Sequence, residues 1–417
     1  MADHNVLLVV LDSLRADRMS AYGYRKPTTP NIDRIAEEGA LFEQCWGDSS
    51  WTLPVSYSIM TGLALREHQS EVYRDLPEGL PTLPRALQDT QWHTILASAN
   101  AFLGTATGLH EAFDEFETPF FEHPAFKPVL KYVLLRLALA DKGGADLNRR
   151  LLRQIANAKA PWFAVQWSDE PHHPWVGRGQ FADRFAERPI SLRRRWEIVA
   201  RARRLQEFVA TGTEEDLIDL SGLYDGCVGY ADHLVGTLRA RLEAMGEWDN
   251  TLVIITADHG DMLGEYGMMG HGGQASMHRH LIHVPLVVRG PGFPSGMRTD
   301  SIVQLSDITQ TVGEITGVLD DLAPTAMERV DLRDAAIGPG REYAICERKE
   351  WTDEGVERAQ KANPSYDYTL IAGAVSSCIK DRWHLVDPEN GAAELFNTAT
   401  DPDETTNRIG EEQERAE

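Results

Sequence analysis

Two apolar segments that each end at an aspartate constrain the fold of this chain more than any other feature. Asn5–Leu11 (NVLLVVL) is followed directly by Asp12, and Thr251–Thr256 (TLVIIT) is followed, after one alanine, by Asp258. Runs of apolar and β-branched residues without alternation are typical of parallel strands that are buried on both faces. Both aspartates therefore fall where a strand ends, which is where ligands bind in open α/β sheets.

Further apolar segments alternate with amphipathic ones along the chain. The segments with the composition of buried strands are 94–98, 162–167 and 284–288. The segments with helical spacing are 30–42, in which the helix is predicted to end at Gly39, and 220–245. Residues 377–407 predict two short strands around a Pro-Glu-Asn-Gly turn, followed by a polar tail. The order predicts an α/β fold with a doubly wound, mostly parallel sheet, helices on both faces and a small C-terminal α+β element.

The chain is strongly acidic for its length. Its 417 residues carry 64 acidic and 41 basic side chains, for a formal net charge of −23. Such a surface repels nucleic acids and anionic membranes at long range, so we expect neither as a partner. A small anionic substrate remains compatible with this charge, because a bound metal ion reverses the local sign of the field.

The N-terminal sequence and the cysteines bear on the compartment. No basic segment followed by a long apolar stretch and a cleavage site is present at the N-terminus, and no apolar run reaches the length of a membrane span. The four cysteines are far apart in sequence and form no CxxC pair: Cys45, Cys227, Cys346 and Cys378. We therefore expect reduced thiols and a cytoplasmic protein.

The chain is predicted to comprise a catalytic domain at 1–320 and a smaller C-terminal subdomain with a polar tail at 321–417. Two charged, helical segments inside the first domain, about 127–158 and 190–220, have the character of insertions. Solvated packing helices are the simpler interpretation. A cap over the site or a homo-oligomer surface is the alternative, and the oligomeric state stays open.

Three polar clusters each allow a structural and a functional interpretation. Asp12 is either a helix cap or a ligand, because a buried acid is costly unless it binds something. Asp258 and His259 form either a simple turn or a pair of metal ligands. Thr52, in a loop rich in hydroxyl groups, is either an N-cap or a residue that faces an anion at a helix N-terminus.

An ordered set of segments resembles the sulfatase branch of the alkaline phosphatase superfamily. The segments are LDSLRADRMSAYGY, TTPNIDRIAEEGALFEQ, WTLPVSYSIMTGL, ASANAFLGTATGLHEAFDEFE, TLVIITADHGDMLGEYG, HVPLVVRGPG and ELFNTATDPDETTN. The resemblance covers nearly the whole chain, from residue 5 to residue 407. It implies an alkaline phosphatase-like sheet and a metal-dependent hydrolase of ester bonds.

The chain departs from the sulfatase pattern at its centre. Sulfatases carry Cys-x-Pro-Ser-Arg or Ser-x-Pro-Ser-Arg, whose first residue is oxidised to formylglycine, whereas this chain reads Thr52-Leu53-Pro54-Val55-Ser56. Thr52 cannot yield formylglycine, and the arginine is absent. A threonine combined with an Asp-His pair is closer to the family's phosphodiesterases, phosphonate monoester hydrolases and phosphoglycerol transferases.

The resemblance implies a role for each matching residue. Asp12, Asp258 and His259 match metal ligands, and Thr52 matches the nucleophile whose oxygen also binds the metal. We expect manganese, zinc or iron rather than calcium, because one ligand is a histidine.

Three other residues match contacts to the substrate. His172, within Asp169-Glu170-Pro171-His172-His173-Pro174-Trp175, resembles the histidine near the leaving group. Asn100 resembles a polar contact to the anion's oxygens. His271 falls near the family's lysine or histidine that binds the transferred group.

A second metal is the remaining alternative within this resemblance. The family's two-metal phosphodiesterases use an aspartate, a histidine four residues later and a C-terminal histidine. Asp169, His173 and His384 have that spacing, whereas the surrounding PHHPW sequence favours a single metal.

The sequence therefore predicts a metal-dependent hydrolase of small phosphate, phosphodiester or phosphonate esters with a covalent intermediate on Thr52. Three alternatives stay open. They are a sulfate ester hydrolase that uses unmodified threonine, a phosphoryl-group transferase, and a non-catalytic family member that binds an anion.

Overall fold

The computed structural model describes residues 4–70, 79–119, 141–159, 161–176, 178–202, 208, 210–271, 277–362, 364, 372–412 and 415. The strands are β1 Asn5–Leu11, β2 Ala40–Trp46, β3 His93–Ser98, β4 Glu115–Glu117, β5 Trp162–Ser168, β6 Thr251–Thr256, β7 Met262–Leu263, β8 Met269–Gly270, β9 Leu286–Arg289, β10 Met297–Gln304, β11 Ala344–Arg348, β12 Val375–Lys380, β13 Trp383–Pro388 and β14 Glu394–Asn397. The α-helices are α1 Pro30–Glu37, α2 Thr52–Thr61, α3 Leu65–His68, α4 Leu83–Gln88, α5 Gly144–Asn157, α6 Leu192–Ala202, α7 Glu214–Met245, α8 Arg279–Ile282, α9 Asp307–Thr316, α10 Leu332–Ala335 and α11 Asp353–Ala362.

A large mixed sheet forms the centre of the molecule, with strand order β10-β2-β9-β6-β1-β5-β3-β4. All its neighbouring strands pair in parallel except β9, which runs antiparallel to both β2 and β6. The apolar side chains of β1 are fully buried, as a strand covered on both faces requires. The predicted α/β fold with a mostly parallel sheet is confirmed.

Helices cover the two faces of this sheet. Helices α1 and α5 each pack against α7 in one layer, and α2, α4 and α9 pack together in the other. A doubly wound sheet needs both layers, because its strands are apolar on both faces.

The helix predicted to begin at residue 30 and to end at Gly39 is present, and the residues after this glycine belong to a strand. The helix ends at Glu37, and β2 begins at Ala40. A Cβ at Gly39 would lie 2.2 Å from the carbonyl oxygen of Val288, so the backbone turns here in close contact with β9.

The long helix predicted at 220–245 begins at Glu214 instead. Thr213 and Asp216 form a capping box, in which Thr213 Oγ1 accepts the Asp216 N–H at 3.1 Å and Asp216 accepts the Thr213 N–H at 2.9 Å. The end of the predicted insertion 190–220 is therefore the first part of α7. In the other predicted insertion, residues 127–140 lie outside the described residues, and 144–157 form α5.

A second, antiparallel sheet with the order β11-β12-β13-β14 lies near the C-terminus. The predicted Pro-Glu-Asn-Gly turn joins β13 to β14. The other two strands of this sheet, β11 and β12, were not predicted from the sequence. The predicted division near residue 320 falls between the last strand of the large sheet and the first strand of the small one, and it stays a prediction.

Two further observations concern compartment. None of the helices that the structure describes has the length and apolarity that crossing a bilayer requires. The four cysteines all lie in the described part of the chain and carry free thiols.

A buried ion pair joins the edge of the large sheet to the segment that leads into the small one. Arg341 donates to both carboxylate oxygens of Asp307 at 2.7 and 2.6 Å, and both side chains are almost fully buried. Asp307 also accepts the N–H groups of Gln304 and Val330. Its charge is therefore paired in an interior where an unpaired charge would be costly.

We expect Arg341→Ala to lower the free energy of unfolding by about 3–5 kcal/mol, because Asp307 would remain buried without its partner. The matched control is Arg358→Ala, which removes an exposed i,i+4 pair with Glu354 at the surface of α11 and should cost at most about 0.5 kcal/mol. Urea unfolding followed by tryptophan fluorescence measures both. Equal losses of unfolding free energy in the two variants would contradict the role of Arg341 as the partner of the buried Asp307.

Candidate active site and metal centre

The two strand-end aspartates meet at one edge of the large sheet. β1 and β6 are parallel neighbours in the register Val10↔Thr256, so the residues that follow them leave the sheet side by side. One ligand atom from each of Asp12, Asp258 and His259 lies within 4.8 Å of the others, and all three side chains are fully buried. The sequence predicted these three residues together, and the structure brings them together.

Hydrogen bonds fix one oxygen of Asp258 and leave the other open. Asp258 Oδ1 accepts the N–H groups of Ser13 at 3.1 Å and His259 at 3.0 Å. Ser13 has a φ of 64°, an uncommon conformation for a residue other than glycine, and it is held there directly after Asp12. Asp258 Oδ2 lies 3.3 Å from His259 Nε2.

Thr52 lies beside this group at the start of α2. Its Oγ1 is 3.2 Å from His259 Nε2. The N-cap residue of α2 is Trp51, and no side chain caps this helix end. The interpretation of Thr52 as an N-cap is therefore wrong, and its hydroxyl faces the carboxylates instead.

The imidazole of His259 is oriented by its backbone neighbour. Its Nδ1 lies 2.8 Å from the carbonyl oxygen of Gly260, so Nδ1 carries the hydrogen and donates it. In the neutral ring, Nε2 then offers a lone pair toward Asp12, Asp258 and Thr52. This is the orientation in which a histidine ligates a metal.

Asn100 contacts Asp12. Its Nδ2 donates to Asp12 Oδ2 at 2.8 Å, and its Oδ1 accepts the N–H of Phe102 at 2.9 Å. The structure thus uses the amide to position the carboxylate. A direct contact between Asn100 and the oxygens of a bound anion stays a prediction.

A second group of side chains continues from the first. His271 stacks near His259 with ring centroids 4.1 Å apart, and its Nδ1 lies 2.6 Å from Asp261 Oδ1. His172 and His173 lie next to His271, with ring centroids 5.0 and 6.0 Å from it. The predicted substrate contacts His172 and His271 therefore both reach the site. No role was predicted for Asp261 from the sequence, although it lies two residues after the predicted ligand His259.

Burial makes the ionised form of these carboxylates unfavourable unless a cation is bound nearby. Burial, together with the nearby carboxylate of Asp12, raises the pKa of Asp258 to about 7. Burial also raises the pKa of Asp261. Burial lowers the pKa of His259, but Asp258 and Asp12 outweigh it, so the net shift is upward. The cluster therefore favours any bound positive charge.

Burial has the opposite consequence for the other histidines. It lowers the pKa of His173 to about 3, with a contribution from His172. Burial lowers the pKa of His172 and of His271 well below the usual value, and each is further lowered by a neighbouring histidine. These rings are therefore neutral at pH 7.

The residues present fit a divalent metal ion. Two buried carboxylates, an imidazole Nε2 and a hydroxyl converge, and no hydrogen bond from the described residues satisfies the buried Oδ2 of Asp258. A buried carboxylate oxygen without a partner is costly unless a cation binds it. Mixed oxygen and nitrogen ligands suit manganese, zinc or iron.

The ligands that the sequence suggested for a second metal are not brought together. His384 lies on β13, where its Nδ1 is 2.5 Å from Glu404 Oε1. Among the described residues, no group of three potential ligands contains Asp169 or His384. The spacing matched because Asp169 and His173 share one loop, while the third residue belongs to the small sheet.

Comparisons with known proteins give the family and the fold of the chain. A family model for sulfatases matches residues 4–318. An uncharacterised sulfatase of Escherichia coli and the choline-sulfatase of Rhizobium meliloti are each 23% identical, over 97% of this chain and 83% and 82% of theirs. Two solved structures are similar in fold. The phosphonate monoester hydrolase of Agrobacterium radiobacter has a TM-score of 0.76 at 22% identity, with 99% of this chain and 93% of that chain covered. The one from Silicibacter pomeroyi has a TM-score of 0.75 at 21% identity, with 99% and 92% covered.

The fold and the site together define a metal-dependent hydrolase of ester bonds. The chain belongs to the sulfatase family, as the extent of the matching family model shows. The resemblance described from the sequence is confirmed, as is the alkaline phosphatase-like fold.

We expect Asp258→Asn to lower the affinity for a divalent metal at least about tenfold, because the variant loses a charged ligand at the centre of the group. The control is Asp232→Asn, which changes a buried aspartate of α7 that accepts hydrogen bonds from Asn31 and Ile32. Metal titration monitored by calorimetry on the folded variants measures the effect. Unchanged affinity in Asp258→Asn would contradict the ligand assignment.

Proposed function

We propose that the chain hydrolyses a small phosphate, phosphodiester or phosphonate ester through a covalent intermediate on Thr52. The position of the Thr52 hydroxyl supports this most directly, because Oγ1 lies 3.2 Å from His259 Nε2 and contacts the carboxyl of Asp258. A hydroxyl held among metal ligands is placed where a bound metal would activate it as a nucleophile.

A divalent cation held by Asp12, Asp258 and His259 would lower the pKa of the Thr52 hydroxyl and draw charge from an ester oxygen. The chain positions these groups before substrate arrives. Asn100 holds one oxygen of Asp12, and two backbone N–H groups hold one oxygen of Asp258. The Ser13 hydroxyl donates to the other oxygen of Asp12 at 3.1 Å, whereas Oδ2 of Asp258 accepts no hydrogen bond from the described residues. Side chains held in this way before the reaction are the preorganisation that catalysis requires.

The reaction has two displacements. The oxygen of Thr52 bonds to phosphorus as the bond to the leaving alcohol breaks, and the alcohol takes up a proton. Water then attacks the same phosphorus, which releases the acid and restores the Thr52 hydroxyl. The covalent intermediate divides one difficult hydrolysis into two easier steps.

His172, which the sequence predicts near the leaving group, could protonate the leaving alcohol only after a change in its own protonation. Its Nδ1 donates to the carbonyl oxygen of His173 at 2.8 Å, so Nε2 of the neutral ring has no proton to give. His172 would serve as an acid only after an anionic substrate raised its pKa.

The chemistry of the nucleophile favours a phosphorus ester over a sulfate ester as the substrate. An unmodified threonine oxygen on a divalent metal suits phosphoryl transfer, and Thr52 cannot be converted to formylglycine. Hydrolysis of a sulfate ester by the same residues is the second candidate. Similarity to the choline-sulfatase over 97% of the chain favours it.

An aromatic pair beside the proposed nucleophile favours a substrate that carries an apolar substituent. Trp51 precedes Thr52, and Phe102 follows two residues after Asn100, with the two rings edge to face at 5.9 Å. The side chain of Phe102 is 39% exposed, an unusual position for phenylalanine. We propose that these rings contact an aryl or alkyl group of the ester.

We expect Thr52→Ala to bind metal and fold but to lose at least about a thousandfold in turnover, because the covalent route is gone. Thr52→Ser should keep measurable activity, since the hydroxyl remains. Steady-state rates with aryl phosphate diesters, phosphonate monoesters and aryl sulfates, each with manganese and with zinc, measure this.

The matched control for that experiment is Thr61→Ala, which removes a buried hydroxyl from the last turn of the same helix, where it binds the carbonyl of Tyr57. Its turnover should match that of the unaltered protein. Equal rates in Thr52→Ala and Thr61→Ala would refute the nucleophile. Turnover of aryl sulfates alone would refute the preference for phosphorus and leave Thr52 in place.

We expect Phe102→Ala to weaken competitive inhibition by phenylphosphonate about two- to tenfold, because an aromatic contact contributes roughly 0.5–1.5 kcal/mol. Inhibition by methylphosphonate should stay within about twofold, since it has no ring to contact the pair. The control is Trp196→Ala, which removes an equally exposed ring on α6. If Phe102→Ala weakened both inhibitors equally, the aromatic pair would have no part in specificity.

A further inference from the structure

A cleft of about 500 Å³ lies between α8 and the C-terminal part of the chain. Its walls come from the loop after β1, the middle of β2, α8, β10, the turn between β12 and β13, and the segment after β14. None of the described residues that line it belongs to the group formed by Asp12, Thr52, Asp258 and His259. The cleft is therefore separate from the candidate active site.

Arginines concentrate positive charge in this cleft, although the chain has a net charge of −23. The four that line it are Arg25, Arg279, Arg298 and Arg382. The guanidinium groups of Arg25, Arg298 and Arg382 each lie within 3.5 Å of a carboxylate oxygen. Arg279 differs from these three, because its guanidinium forms no ion pair with a carboxylate of the described residues.

The guanidinium of Arg279 is half-buried and weakly bound. It donates to the carbonyl oxygen of Thr398 and to Nδ1 of His283, each at 3.5 Å, which is long for a hydrogen bond. Burial lowers the pKa of Arg279, although the carboxylate of Glu404 acts in the opposite direction. A guanidinium that is taken out of water without a carboxylate partner is costly, and an anion in the cleft would offset that cost.

His280 is a second polar group of the cleft without a hydrogen-bond partner. Its side chain lies next to Arg279 in the sequence and is only 7% exposed. Its Nδ1 has no hydrogen-bond partner among the described residues, and its Nε2 is 3.7 Å from Asp403 Oδ1. Burial lowers the pKa of His280, so the ring is neutral at pH 7 and one nitrogen carries a hydrogen. An oxygen of a bound anion would accept that hydrogen.

The acidic residues of the lining do not cancel the charge of Arg279. Asp17 pairs with the buried Arg15 at 2.7 Å, and Glu43 pairs with Arg298 at 2.8 Å. The side chain of Asp403 is 75% exposed, so water screens its charge. The charge that remains uncompensated in the cleft is therefore positive.

The backbone around Arg279 is fixed by contacts behind the cleft. The N–H of Arg279 donates to Glu404 Oε2 at 2.8 Å, and Glu404 is itself fully buried. At the other end of α8, Nε2 of His283 donates to the carbonyl oxygen of Glu43 in β2 at 2.8 Å. These contacts hold α8 against both the large sheet and the C-terminal segment, so the position of Arg279 is part of the fold.

We propose that Arg279 and His280 bind a small tetrahedral oxyanion in this cleft, with Arg382 at its edge. Phosphate and sulfate are the common members of this class. A guanidinium offers two parallel N–H groups that match two oxygens of such an anion. The volume of the cleft suits a small molecule that carries the oxyanion. The site goes beyond the proposed function, because it binds an anion away from Thr52.

Equilibrium dialysis of the full-length protein as purified, against labelled phosphate up to about 1 mM, counts the bound anions. We expect Arg279→Gln to bind one phosphate fewer per chain than the unaltered protein, because the uncompensated charge is gone. Arg382→Gln should weaken this binding only about two- to threefold, since an exposed charge contributes less.

The matched control is Arg193→Gln, which removes an exposed arginine of α6 that pairs with Glu197. It should bind as many phosphate ions as the unaltered protein. Equal counts in the unaltered protein and in folded Arg279→Gln would overturn the proposal.

Diffraction from crystals of the unaltered protein soaked in sodium tungstate locates the anion directly. Tungstate is a tetrahedral oxyanion whose metal atom scatters anomalously. We expect an anomalous peak beside the guanidinium of Arg279. Peaks at other places only, or no peak, would overturn the proposal. This measurement decides if Arg279→Gln does not fold, as judged by circular dichroism.

The result is separable from the proposed function. A chain that binds phosphate through Arg279 and hydrolyses no phosphorus ester would keep this site and reject that function. A chain that hydrolyses phosphonate esters through Thr52 and binds no anion in the cleft would do the reverse.

Discussion

The structure depends on two carboxylates that the central sheet brings together at its edge. β1 and β6 are adjacent and parallel, so Asp12 and Asp258 leave the sheet side by side and fully buried. Two like charges in a low-dielectric interior repel each other, and burial adds to the cost of ionising both. The raised pKa of Asp258 expresses that cost. A divalent cation bound between the two carboxylates would offset this repulsion.

The surrounding residues can be understood as consequences of this pair. Backbone N–H groups fix one oxygen of Asp258, and Asn100 and the Ser13 hydroxyl each donate to one oxygen of Asp12. Thr52 lies beside the same group at the start of α2, where no side chain caps the helix. Neutral histidines follow on the opposite side, with His271 supported by Asp261. The charge and the hydrogen-bonding directions of the site are therefore fixed before any substrate binds.

The sequence predicted the parts of the site that follow directly from strand ends. Asp12, Asp258 and His259 come after buried apolar runs, so their meeting follows from the order of a parallel sheet. The antiparallel direction of β9 could not be predicted, because an apolar run such as VPLVV has the same pattern in either direction. The placement of His384 failed because contacts between distant segments are set by tertiary packing. The same is true of the group formed by His172, His173 and His271.

The central claim is that the Thr52 oxygen becomes covalently bound to the transferred group. The most direct test is rapid quenching of turnover of an aryl phosphonate ester, followed by intact-protein mass measurement, peptide fragmentation and phosphorus NMR. We expect a phosphonyl adduct on Thr52 that forms and decays at the rate of turnover. An adduct on another side chain, or turnover that proceeds with no adduct at any time, would contradict it.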